Sequence, residues 1–428
     1  MHFFSSRLVQ VRPGEGRLVV WSALYFFSLL CGYYVLRPVR DEMGIQGGVG
    51  NLPWLFSATF VVMLAAVPLF GWAAARFPRL KFLVGVYAFF VANLLIFYVL
   101  FQEHIEVATV ARAFFVWLSV FNLFVVSVFW SFMADLFSHE QARRLFGLIS
   151  AGGSAGALAG PTITASVARS LGPANLLPVS AAFLLLAVVC ILQLGKLASP
   201  SKPGAPSLIG GGVWAGLATL VRSPYLLSIA GYVLVNTLLG TLLYFQQQTI
   251  VAQTYSDPAE RTHLFALLDL AVNILALVGQ ALVISAVMRR LGMTFALAIL
   301  PGVSIAGFAL LGVWPTLTAL IVFAVLRRAS EYALSKPARE VLFTLVSREE
   351  KYKAKNVLDT VVARGGDAAS GWIAQGLKAA GFALAGMSAI AIPVSLAWIG
   401  LAFLLGRLHG AKATQNARTT REPHGESP

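Results

Sequence analysis

Eight ionisable residues stand inside long apolar stretches of this chain: Arg112, Asp269, Arg327, Arg328, Glu331, Asp359, Arg364 and Asp367. Three more, Arg37, Arg40 and Asp41, close the first such stretch. A charge near the centre of an apolar slab costs roughly 2.5–3.5 kcal/mol even on the lenient insertion scale, so each must face a cavity, a counter-charge or a ligand. The chemistry open to such a set is electrostatic. Guanidinium forks grip an anion or a zwitterion, and a carboxylate carries a proton.

Spacing shows which of these groups can meet. Arg37 and Asp41 are at i and i+4, as are Arg327 and Glu331, and Arg364 and Asp367 are at i and i+3. Each pair can form within one helix, either neutralising itself or lining a site. Arg112 has no acidic neighbour within a turn and needs a partner on another helix or a substrate anion, which makes it the leading single candidate. Asn122, Gln246, Gln247, Asn273 and Gln280 either extend the lining or hydrogen-bond neighbouring helices. The expected substrate-binding set is Arg37, Arg40, Asp41, Arg112, Asp269, Asn273, Arg328, Glu331, Arg364 and Asp367.

Competing chemistries find little support. Gly152-Gly153-Ser154-Ala155-Gly156 fits the Gly-x-Ser-x-Gly pattern of serine hydrolases, but it stands in mid-stretch with no preceding strand. Together with Gly160 it forms a face on which two helices pack closely. No phosphate-binding Walker loop, paired cysteine ligands or His-Glu-x-x-His occurs, so no enzyme activity, cofactor or metal is expected. Cys31 and Cys190 each lie in an apolar run, as small buried hydrophobes do.

The elements that must position these charges follow from composition. Of 428 residues, 58% are hydrophobic and 12% charged, against the roughly 25% charge of a soluble domain. Mean hydropathy is +0.78. Bilayer-length apolar stretches occupy residues 18–36, 52–75, 82–101, 107–132, 145–167 and 174–194, then 225–251, 264–287, 293–313, 315–334, 357–380 and 387–406. The chain is therefore an all-α membrane protein of about 12 transmembrane helices.

The net charge of +14 follows topology and does not indicate nucleic acid. With the N-terminus placed inside, about 23 of the 32 Lys and Arg fall on the inner side, the positive-inside pattern. Both termini are expected in the cytoplasm, in a bacterial inner membrane. The partners implied are the lipid bilayer and a small-molecule substrate, and a monomer is compatible with everything in the sequence.

Four regions follow: a six-helix half over 1–197, a linker with a short interfacial helix over 198–222, a second six-helix half over 223–406, and a basic, disordered tail over 407–428. A shift of about 213 residues places Gly152-Gly153 on Gly365-Gly366 and the loop at Arg76 on Arg289. Ser138-His139-Glu140-Gln141 likewise precedes the first glycine pair as Ser347-Arg348-Glu349-Glu350 precedes the second. Two parallel six-helix repeats resemble the plan of major-facilitator transporters, whose substrate site lies between the halves. The segment from Gly71 to Lys81 resembles that superfamily's loop between helices 2 and 3, with Ala75 and Pro78 departing from the pattern.

A narrower resemblance runs along most of the chain. Tyr33-Tyr34-Val35-Leu36-Arg37-Pro38-Val39-Arg40-Asp41, Ala142-Arg143-Arg144-Leu145-Phe146-Gly147-Leu148 and Arg222-Ser223-Pro224-Tyr225-Leu226-Leu227 are similar to segments of the nucleotide transporter family, the ATP/ADP translocases of obligate intracellular bacteria and plastids. Lys336-Pro337-Ala338-Arg339-Glu340 and Lys353-Ala354-Lys355-Asn356-Val357-Leu358-Asp359 extend the likeness, above all to shorter relatives from free-living bacteria. The resemblance implies exchange of ATP for ADP without hydrolysis, with a binding role for Arg37, Arg40 and Asp41.

Charge arithmetic narrows the cargo. Arg112, Arg327, Arg328 and Arg364 stand against Asp269, Glu331, Asp359 and Asp367, and adding Arg37, Arg40 and Asp41 leaves an excess of about one positive charge. A small anion or a zwitterion matches that balance better than a triphosphate, with a nucleotide the first candidate to try. The alternatives are a proton-coupled carrier of a non-nucleotide metabolite and, more remotely, a membrane sensor or assembly protein without transport.

Overall fold

A backbone in hydrocarbon must satisfy every N–H and C=O within its own segment, which leaves helices as the economical solution. The computed structural model describes residues 11–197 and 213–421, and among them no strand occurs. The first half contains α1 (Gly16–Gln46), α2 (Leu52–Arg76), α3 (Arg79–Gln102), α4 (Val107–Leu136), α5 (His139–Leu171) and α6 (Leu176–Leu197). The short α7 (Val213–Arg222) follows, then α8 (Pro224–Thr254) and α9 (Pro258–Val278). A π-helical turn over Gly279–Val283 joins α9 to α10 (Ile284–Arg290), which is followed by α11 (Gly292–Val313) and α12 (Leu317–Ser330). A second π turn, Glu331–Ser335, leads into α13 (Lys336–Leu342), and a third, Leu358–Val362, joins α14 (Arg348–Val357) to α15 (Ala363–Ala379). The chain closes with α16 (Leu384–Arg421).

Nine helices among the described residues are long and apolar enough to cross a membrane. The other three expected spans are helical too, each with a physical reason for falling short. α5 is rich in small residues, while the helix through α12 carries Arg327, Arg328 and Glu331 and α15 carries Arg364, Asp367 and Lys378. Two expectations change. α1 does not stop at Leu36 but continues through Pro38 to Gln46, because the proline's missing N–H and its ring are accommodated within the helix. α16 runs to Arg421, so residues 407–421 are helical and not a disordered tail. Residues 198–212 of the expected linker lie outside the described residues, whereas the short helix before α8 is present as α7.

The described chain forms two units. The first holds residues 11–51, 61–197 and 255–270, and the second holds 52–60, 213–254 and 271–421. These bounds differ from the halves 1–197 and 223–406.

In the first unit α1 is central, packed by α4, α5 and α6. Its seam with α5 is set by glycines. A Cβ on Gly152 would strike the Ala23 carbonyl, one on Gly156 the Phe27 carbonyl, and one on Gly160 the Cys31 carbonyl and Tyr34 Cβ at 2.7 Å. The absent side chains let the two backbones touch, the packing role expected of this motif. Ser154 is exposed, and its hydroxyl donates to the Ser150 carbonyl of its own helix at 3.3 Å, with no nucleophile elbow around it. Aromatic rings fill the rest of the core, including Phe26 stacked on Phe129 at 4.2 Å between centroids.

In the second unit α8 packs on α15 and α16, and α11 on α16. Trp398 and Phe308 are fully buried there. The repeat shows in local chemistry. Ser138 and Gln141 form a reciprocal capping box at the start of α5, and Ser347 and Glu350 form the same box at the start of α14.

Candidate functional site

Two groups of charged side chains stand out, one in each unit. In the first unit, extension of α1 past Pro38 places Arg37, Arg40, Asp41 and Glu42 on successive faces of an unbroken helix. Arg37 Nη1 lies 3.6 Å from Asp269 Oδ1, with the carboxylate 1% exposed. Arg40 Nη1 lies 3.9 Å from Asp41 Oδ1, and its guanidinium sits 4.3 Å from the Phe115 ring centroid. That stacking suits a weakly hydrated, planar cation.

Sequence alone missed the tightest contact. Arg261 Nε and Nη2 donate to the two carboxylate oxygens of Glu42 at 2.6 and 2.8 Å, and a third guanidinium nitrogen donates to the Tyr255 carbonyl at 3.2 Å. Glu42 is 0% and Arg261 8% exposed. Both residues fell outside the hydropathy-defined spans, Arg261 as a loop residue. The structure instead puts Arg261 in the first turn of α9, buried. Two further contacts hold the same end of α9: Arg169 pairs with Glu260 at 2.9 Å, and His263 Nδ1 donates to the Ala165 carbonyl at 2.7 Å.

Arg112 has a protein partner on another helix. Its Nε donates to the Gly47 carbonyl at 2.7 Å, so its partner is the carboxyl end of α1. A Cβ on Gly47 would meet Arg112 Cγ at 2.9 Å, which keeps residue 47 small. The guanidinium thus completes a helix terminus whose carbonyls lack intrahelical partners.

In the second unit, Arg327 is 3% exposed and donates through Nη2 to the Asn236 carbonyl at 2.8 Å and to Asn236 Oδ1 at 3.0 Å. Asn236 Nδ2 in turn donates to Glu331 Oε1 at 3.2 Å, and Arg327 Nη1 stands 3.9 Å from Glu331 Oε2. The expected intrahelical pair therefore exists, with Asn236 of α8 as a bridge. Glu331 opens the π turn, whose Tyr332 carbonyl accepts from Gln280 Nε2 at 3.0 Å. A π turn leaves backbone groups off the α-helical ladder, and here another helix satisfies one.

Asp367 accepts from Thr241 Oγ1 at 2.6 Å and from Arg364 Nη1 at 3.2 Å, so the i, i+3 pair also forms and is tied to α8. Ser370 donates to the Leu238 carbonyl at 2.8 Å, extending that seam. Arg328 is half-buried on α12, and Asn273 lies half-buried on α9 four residues beyond Asp269. Asp359, counted among the span charges, has a side chain 59% exposed and lies 3.9 Å from Arg339. It stands within the third π turn. Gln246 Nε2 hydrogen-bonds the Leu384 carbonyl at 3.2 Å and Ser388 Oγ at 3.1 Å, the helix-packing alternative for that residue.

The comparisons agree with this architecture. A sequence model described as Major Facilitator Superfamily matches residues 17–334. The chain is similar to ADP,ATP carrier protein 1 of Chlamydia muridarum, 23% identical over 331 residues, covering 66% of this chain and 61% of the relative. It is also 23% identical over 296 residues to ADP,ATP carrier protein 1 of Chlamydia trachomatis serovar D, covering 58% of this chain and 55% of the relative. The chain thus spans less than two thirds of the length of the curated relatives it matches. Among solved structures, a bacterial homologue of the iron transporter ferroportin in an inward-facing state superposes with a TM-score of 0.65 at 11% identity, covering 92% of this chain and 98% of that one. The nucleoside transporter NupG superposes with a TM-score of 0.60 at 14% identity, covering 92% and 98%. These likenesses establish a shared fold.

Proposed function

We propose that this chain, a member of the Major Facilitator Superfamily, is a secondary transporter whose cargo is a small anionic or zwitterionic solute, a nucleotide being the first candidate. The observation that carries this reading is the Arg37–Asp269 pair. At 3.6 Å the two ions attract, but the contact is longer than the roughly 2.7–2.9 Å of a charge-assisted hydrogen bond. Glu42–Arg261, by contrast, is short and two-pronged. A solute anion that approaches Arg37 competes with a longer contact to Asp269 than the two-pronged one that holds Arg261 to Glu42.

Charge balance within each group supports the same cargo class. In the first unit Arg37, Arg40, Arg112 and Arg261 stand against Asp41, Glu42 and Asp269. In the second, Arg327, Arg328 and Arg364 stand against Glu331 and Asp367. Each group is left with about one surplus positive charge, enough for a carboxylate, a phosphate monoester or a zwitterion. The 23% identity to the two Chlamydia carriers makes a nucleotide the first solute to test. A second reading, proton-coupled carriage of a non-nucleotide metabolite, rests on Asp269, a carboxylate 1% exposed that faces Arg37. The positive-inside pattern favours a bacterial inner membrane with both termini cytoplasmic.

The test is uptake of labelled ADP into proteoliposomes preloaded with ATP, followed by a panel of carboxylates, phosphate esters and amino acids. Saturable uptake that depends on the internal solute supports the reading. Folded protein with no exchange across the whole panel would overturn it.

A further inference from the structure

A crevice in the second unit lies between α8 and the π turn that follows α12, with about 210 Å³ of empty space that includes its opening to solvent. Tyr232 and Asn236 line it from α8, Glu331 and Ser335 from the π turn, and Lys336 and Arg339 from α13. We infer that this crevice is an anion subsite for a phosphate- or carboxylate-sized group, with Lys336 and Arg339 as its cationic grip.

The charges decide the sign of the ligand. Glu331 is the one carboxylate lining the crevice, and it is already matched by the Asn236 amide at 3.2 Å and by Arg327 behind it at 3.9 Å. Lys336 rests its ammonium 4.3 Å from the Tyr332 ring centroid, and its charge also acts on Glu331 from beyond salt-bridge distance. Arg339 has Asp359 at 3.9 Å, a long contact to a carboxylate 59% exposed and so heavily screened by water. Adding the charges of Arg327, Lys336 and Arg339 to those of Glu331 and Asp359 leaves about one positive charge for a ligand to neutralise.

Neutral groups narrow the choice further. The Tyr232 hydroxyl donates to the Leu297 carbonyl at 2.8 Å, so at 3.2 Å it accepts from Ser335. Both hydroxyl protons are thereby committed, and the donors left to an anion are the ammonium and the guanidinium. The crevice is small and open to solvent, so it encloses no nucleotide, and an anionic group would be held at its mouth. The group can belong to the transported solute or to a lipid head. The first source rests on the transport reading, while the binding itself does not.

The test uses the full chain in phosphatidylcholine nanodiscs, with the unfolding temperature followed against inorganic phosphate and, at matched ionic strength, against chloride. A saturable rise with phosphate alone is expected. The double variant Lys336→Met, Arg339→Met should weaken the apparent affinity at least about tenfold, the loss of charge-assisted contacts. The charge-preserving pair Lys336→Arg, Arg339→Lys should restore most of it, which separates loss of the grip from loss of the fold. No response beyond chloride, or the same response in the Met variant, would overturn the subsite. Loss of the phosphate response on adding phosphatidylglycerol identifies a lipid head as the natural occupant, and its persistence identifies a solute. Counterflow is measured separately on the wild type: its failure with phosphate binding intact removes the transport reading alone, and the reverse removes the subsite alone.

Discussion

Glu42 and Arg261 meet through two hydrogen bonds of 2.6 and 2.8 Å, with the carboxylate wholly shielded from solvent. The pair joins α1 to the first turn of α9, two elements more than two hundred residues apart in sequence. Burial of two ions is costly, and their mutual attraction offsets that cost only while both are present.

Removing one partner should therefore be worse than removing both. Glu42→Leu or Arg261→Leu alone is expected to cost about 3–5 kcal/mol of stability, and the double variant clearly less than the sum. Thermal unfolding in detergent of the four proteins of the cycle measures this. Additive losses would mean that the two groups do not interact as described.

The α1–α5 seam predicts a steep dependence on volume. Gly156→Val should destabilise by about 1–3 kcal/mol or more, because its Cβ meets the Phe27 carbonyl, which cannot rotate away. Ala155→Val, on the exposed side of the same turn, should change little. Equal melting temperatures for the two variants would contradict this packing.

Acid sensitivity should arise outside the membrane, at the start of α1. The Arg144 guanidinium, with the Arg12 backbone amide and the Gln141 side chain, holds the Glu15 carboxyl at about 2, well below its ordinary 4.5. A lowered folded value means that stabilisation is complete above about 4.5 and is lost as pH falls toward about 2. The difference in unfolding temperature between wild type and Glu15→Gln should thus hold steady near neutrality and close in that acid window. A gap that widens on acidification would sink the assignment.

Arg112 should act through the end of α1. Arg112→Ala removes the hydrogen bond to the Gly47 carbonyl and should lower both transport rate and melting temperature, with a stability loss of about 1–3 kcal/mol. Arg112→Lys keeps the charge but not the planar donor and should recover only part. Unchanged stability in the Ala variant would return Arg112 to the role of a direct ligand.

Hydropathy made the helices legible, and glycine spacing made the α1–α5 contact legible, because both are properties of short windows. The intrahelical pairs Arg327–Glu331 and Arg364–Asp367 were legible for the same reason. Arg261 and Glu42 were not, since a hydropathy window ends a span at its first charges and takes no account of a helix continuing past Pro38. Asn236 escaped notice because an asparagine becomes a bridge only when α8 and α12 are packed. Asp359 stands in a π turn, which no periodicity announces. Lys336 and Arg339 looked like ordinary topogenic charges until the crevice beside Glu331 gave them something to face.

The central claim, that the buried charges hold a transported anion or zwitterion, is tested most directly by counterflow in proteoliposomes comparing wild type, Arg37→Ala and Arg169→Ala. Arg37 faces Asp269 in the buried group, whereas Arg169 pairs with Glu260 at an exposed edge. Exchange in the wild type, abolished by Arg37→Ala and retained by Arg169→Ala, is the predicted result. Exchange that survives Arg37→Ala undiminished in a folded protein would contradict it.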